Sequence, residues 1–202
     1  MILRQIQDLI GDIYDVSIAH DVYDFLVTDR TCLPAGARAG QSDEQLLVAE
    51  ESDAVGVSLY LDPALLERLQ RADPIRALNQ GNVADYWTAL EGVSHFLYFA
   101  WNAGHDKPVS LLELELQAEI DKYVASYWLL RRQFPQRFPA ELMRILFERT
   151  RIDPRSRASA PTFTGAQAAM PNDFAAGSSV RCARVRVSPS NWLSQSSDAS
   201  IG

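Results

Sequence analysis

Residues 82–133 read as two long helices joined by a short loop, and a helical hairpin of that length obliges the rest of the chain to pack around it. The first half carries DYWTALEGVSHFLYFAWN and the second SLLELELQAEIDKYVASYWLLRRQ. Residues three, four, seven and eleven apart share a stripe on a helix. In the first helix that stripe is Val83, Tyr86, Leu90, Val93, Leu97 and Trp101. Glu91, His95, Tyr98 and Asn102 run along its edge. The loop at 104–108 turns the chain, and Ser110 with Glu113 forms a capping box for the second helix. There the expected oily face is Leu112, Leu116, Ile120, Tyr123, Tyr127 and Leu130. Glu115 and Glu119 lie on its flank with Lys122 and Ser126, while Glu113, Gln117 and Asp121 are expected to face solvent.

A carboxylate bordering a core is costly unless it is paired, protonated or bound to a cation. Antiparallel helices bring one edge against another, so Glu91 and His95 are expected to meet Glu115 and Glu119. Three carboxylates and an imidazole suit a divalent metal such as Mn²⁺, Fe²⁺ or Zn²⁺. In that reading Glu91, His95, Glu115 and Glu119 are the ligand set. The catalytic residues are His95 and Glu119, with Glu119 as general base on a metal-bound water. The signal is not specific. Ferritin-like di-iron sites space Glu and His by three, whereas Glu91 and His95 stand four apart. No HExxH, CxxC, P-loop or GxGxxG motif accompanies them. The bland alternative is a structural polar network that sets two helices against each other without chemistry.

Upstream, Leu3, Ile6, Ile10 and Ile13 recur at helical spacing and predict an amphipathic helix over 2–14. Residues 15–31 fit either period, with a strand expected at 23–28, and His20 reads as a solvated or core-edge side chain. Residues 31–43 read as a loop. A hairpin follows, turning at 51–53, with Val55, Val57, Leu59 and Leu61 on its apolar face and Gly56, Ser58 and Tyr60 on the other. Two strands alone are marginal, so they are expected to pack on helices or pair with 23–28. Asp62 and Pro63 start a helix over 63–72. Pro139 starts another, with Leu142, Ile145, Leu146 and Phe147 as its oily side. His105 is expected to be exposed in its loop.

Residues 153–202 change character, becoming rich in Ser, Ala, Pro and Arg without sustained periodicity, a disordered-tail composition. An abrupt stretch of this kind is also what a frame-altered end looks like. The patch at 180–187 has strand character but no evident partner in the sequence. The expected architecture is therefore α+β: a small antiparallel ribbon on about five helices, one domain over 1–152, and the tail.

The net charge of −7 argues against a nucleic-acid partner, and no apolar run approaches a membrane span. Polar residues interrupt the first fifteen positions, which do not read as a signal peptide. The two cysteines, Cys32 and Cys182, make no disulfide framework and are expected to be reduced in the cytoplasm. Two functions fit: a cytosolic regulatory or protein-interaction domain that self-associates through its helix aromatics, with Phe96 and Phe99 as a second packing face, or the metal-assisted hydrolase or small-molecule site above.

Overall fold

The computed structural model describes residues 1–51 and 54–136, together with the backbone of 185–187. The helix expected at 139–147 and the rest of the 153–202 tail lie outside the described residues. Within them the fold is α+β, with helices α1 (Ile2–Tyr14), α2 (Ala35–Arg38), α3 (Pro63–Arg71), α4 (Val83–Ala103) and α5 (Leu111–Gln133). The strands are β1 (Leu26–Val27), β2 (Glu44–Glu51), β3 (Ala54–Leu61) and β4 (Val185–Val187). The short α2 falls where a plain loop was expected.

The sheet is mixed rather than a simple antiparallel ribbon. β2 and β3 form the expected hairpin, with Leu46 opposite Leu59 and Val48 opposite Val57. β1 pairs parallel with β3 at Leu59 and Tyr60, as two strands in need of a third would require. β4 pairs antiparallel with β3 at Val55–Val57, so the apparently partnerless patch has a partner after all. The strand expected over 23–28 shrinks to two residues. Asp21 accepts the Tyr23 amide at 3.0 Å and caps a 3₁₀ turn, Val22–Phe25, which turns Val22 and Phe25 into the core.

α1 buries Ile2, Leu3, Ile6, Leu9 and Ile10 as its period predicts. Its end is set by Gly11, whose carbonyl accepts the Val16 amide at 3.0 Å. A Cβ at Gly11 would stand 2.9 Å from the Val16 carbonyl oxygen, so this approach requires glycine. Buried Gln7 then pins the following loop: it donates to the His20 carbonyl at 2.8 Å and accepts the Val22 amide at 2.9 Å. α3 starts at the predicted cap, where Asp62 accepts the Ala64 amide at 2.9 Å with Pro63 in the first turn.

α4 is the central rod, packed against α1, α3, α5, β2 and β3. Phe96 is 1% exposed, its ring 4.8 Å from that of Phe25, and belongs to the core. The sheet's other face is covered as well. Tyr60 is buried with Val27 and Leu33, and the Arg30 guanidinium lies over its ring, donating to the Tyr60 hydroxyl at 3.1 Å and to the Ser42 carbonyl at 2.7 Å. Cys32 is disulfide-bonded, against the expectation of reduced thiols.

Candidate functional site

The hairpin brings three of the four expected ligands together. Glu91 and His95, one turn apart on α4, and Glu115 on α5 each place a ligand-capable atom within 4.8 Å of the others. Glu119 is held elsewhere. Its carboxylate sits 2.7 Å from Lys122 Nζ, and its side chain is 50% exposed. Lys122 reaches across to Glu91 Oε2 at 2.6 Å, bridging the helices. Burial works against charge on Lys122, but Glu91 and Glu119 outweigh it and raise its pKa. Tyr98 and Asn102, on the same edge of α4, do not join: Asn102 donates to the Tyr98 carbonyl at 2.8 Å and helps close the helix end.

A fourth carboxylate adjoins His95 without joining that group of three, and it comes from the sheet. Glu44 opens β2 on the face that also carries Leu46, opposite Leu61. Its Oε1 lies 3.7 Å from His95 Nδ1, with side chains only 10% and 8% exposed. That separation is ion-pair range, too long for a hydrogen bond. Glu44 Oε1 and His95 Nε2 are both buried without a hydrogen-bond partner. Burial drives the Glu44 pKa above the usual carboxylate range, against the pull of His95. Burial lowers that of His95, but Glu44, with Glu115 and Glu91 behind it, more than reverses this and leaves the imidazole easier to protonate than usual.

Gly92 makes the arrangement possible. A Cβ there would stand 2.8 Å from Glu44 Cγ and 2.9 Å from Leu59 Cδ1, so α4 lies directly on the strands at this point. The sequence signal for Glu44 was available: a glutamate in phase with the apolar positions of a strand must point inward.

α5 presents a different side from the one expected. Its buried residues are Ala118, Asp121, Ala125, Ser126 and Leu129. Leu112, Leu116 and Ile120 are exposed, at 77%, 59% and 44%. Small residues let α5 come close to α4, and Trp87 reaches across to donate to Ser126 Oγ at 3.0 Å. Asp121, expected in solvent, is 3% exposed and accepts from the Tyr14 hydroxyl at 2.5 Å, Ser94 Oγ at 2.6 Å and Gln117 Nε2 at 2.8 Å. The other two histidines lie outside this group. His105 is exposed, its ring tilted 32° against that of Trp101 with centroids 4.3 Å apart, and His20 packs edge-on to Phe25 at 5.6 Å.

Comparisons of the chain with protein-family models, with curated proteins and with solved structures give no match. Among the described residues no helix is long and apolar enough to cross a membrane.

Proposed function

We propose that this protein binds a divalent cation between α4 and α5, through His95, Glu91 and Glu115, with Glu44 behind the imidazole. The observation that carries this is the pair of buried, unpartnered atoms, Glu44 Oε1 and His95 Nε2, beside two further carboxylates. Metal-binding histidines commonly give their second ring nitrogen to a carboxylate, and Glu44 Oε1 stands nearest Nδ1, at 3.7 Å an ion-pair rather than a hydrogen-bond distance. Nε2 is then the nitrogen left for a cation. Charge favours the same reading. Even with Glu44 left out as neutral and the imidazole protonated, Glu91, Glu115 and Glu119 outnumber Lys122 and His95. The mixed oxygen and nitrogen set suits Mn²⁺, Fe²⁺ or Zn²⁺. No reaction is attached to the proposal, because the Glu119 carboxylate is engaged by Lys122 and nothing favours it as a base.

The test is a thermal melt of the full chain with and without Mn²⁺ or Zn²⁺. A site selective for the folded state, saturated at 100 times its Kd, adds ~2.7 kcal/mol of stability. Glu115 is exposed, so Glu115→Gln is expected to keep the fold and lose the gain. If Lys122 is the only cation this cluster needs, neither metal will move the melt.

A second reading, an interaction domain that self-associates, is favoured by the uncovered Leu112, Leu116 and Ile120 on α5. Two copies paired antiparallel about the middle of α5 would set Ile120 against Tyr123, Leu116 against Tyr127 and Glu113 beside Arg131. Phe96 takes no part, being core. Sedimentation of Leu116→Glu against the unaltered chain tests it, and a monomer at every concentration rejects it. The cytoplasmic address was expected by elimination of a signal peptide and a membrane span, and the disulfide at Cys32 departs from the reduced thiols expected with it.

A further inference from the structure

On the side of α4 away from Glu44, a cavity of about 730 Å³ opens between α1, the loop that follows it, and the facing parts of α4 and α5. Leu97, Tyr98 and Trp101 form one wall. Asp121 lies at its floor, held by the Tyr14, Ser94 and Gln117 donors. All three donors are neutral. No Lys, Arg or His of the described residues lies within ion-pair distance of this carboxylate. A buried carboxylate is ordinarily paired with a cation, because neutral donors offset only part of its lost hydration. Burial accordingly pushes its pKa up despite the three donors.

The rim has the same sign. Asp8, Asp12 and Asp15 border the opening, and Arg4, its one basic residue, is engaged by Asp8 at 3.1 Å and Asp21 at 2.5 Å. Acidic walls around a low-dielectric cleft concentrate cations. The Tyr98 ring adds an aromatic face for an ammonium group, and Trp101, whose ring already carries Lys107 Nζ at 4.9 Å and the His105 ring at 4.3 Å, adds surface for an apolar body. The volume is that of an ordinary small-molecule site.

We propose that this cavity binds an organic cation: an amine whose ammonium group is paired with Asp121 and whose apolar or aromatic body lies against Leu97, Tyr98 and Trp101. The site shares no residue with the Glu91, His95 and Glu115 cluster, although the charge of His95 is felt at Asp121.

The experiment is isothermal titration of the full chain, in buffer containing EDTA, with phenethylamine, with 2-phenylethanol as its neutral counterpart, and with 3-phenylpropionate as its anionic one. The expected result is saturable binding of the amine, at least tenfold tighter than the alcohol, and none of the carboxylate. Asp121→Asn is expected to reduce amine affinity at least tenfold while leaving weak binding of the alcohol unchanged. Should that variant fail to fold, the preference for amine over alcohol in the unaltered chain still decides the matter. Equal binding of amine and alcohol, unchanged amine affinity in a folded Asp121→Asn, or no saturable response to the amine up to ~10 mM overturns the proposal.

Discussion

The two arms of the hairpin bury their sides by different rules. α4 is enclosed on most of its circumference: Tyr86, Leu90, Val93, Phe96 and Leu97 all lie in the core, and even Ser94 and His95 are buried. α5 turns inward a face of alanines, a serine, an aspartate and one leucine, and leaves its larger apolar side chains outside. The difference teaches that apolar size does not decide which way a helix faces. Where a central rod already fills the core, its neighbour gains more from close approach and a few buried hydrogen bonds than from inserting leucines for which there is no room.

The contrast is broken or sharpened first by truncation. Leu90→Ala on α4 is expected to cost ~2–5 kcal/mol, since Leu90 is fully buried. Leu112→Ala on α5 should stay within ~0.5 kcal/mol in the same urea melts. Similar losses would mean that Leu112 is covered. Ala125→Leu, which adds bulk to the tight α4–α5 seam, should cost ~1–3 kcal/mol even though it adds apolar surface. A stabilising Ala125→Leu would show slack in that seam. In the opposite sense, Tyr86→Phe should gain on the order of 1 kcal/mol, because the Tyr86 hydroxyl is buried without a partner.

A smaller and gradual effect comes from the Glu44–His95 pair. Both pKa values are raised on folding, so both groups bind protons more tightly in the native state. The stability that His95 contributes is fully present below its unfolded value of 6.5 and is lost as pH rises through its folded value. Glu44 behaves likewise above 4.5. Melts across this range should show the unaltered chain losing stability with rising pH relative to Glu44→Gln, whose slope is flatter. Added Mn²⁺ should help most at the upper end, where the ligands are deprotonated. A stability that rises with pH only in the unaltered chain would put the sign of this coupling in error.

Much of the fold was legible because it rests on local chemistry. The Asp62–Pro63 start, the Ser110–Glu113 capping box, the α1 period and the β2–β3 alternation each depend on residues a few positions apart. The misjudged features depend on distant contacts. Tyr60 reads as an outward strand residue until Arg30 and Leu33 cover it. Asp121 reads as solvated until α1 delivers Tyr14 from 107 positions away. In the site, Glu91 and His95 were visible as an i, i+4 pair and Glu115 as their antiparallel neighbour. Glu44 could be read as inward-facing from its phase with Leu46, but its meeting with His95 depends on the packing of β2 across Gly92, which is not local in the sequence. Glu119 was favoured on wheel position, although Lys122, three residues on along the same flank, was already within reach of it.

The central claim, a cation between the two helices, is tested most directly by equilibrium dialysis of the full chain against Mn²⁺ with the bound metal counted. One ion per chain is expected, lost in both His95→Gln and Glu115→Gln while each variant remains folded. No bound ion, or an ion retained by both variants, would contradict it.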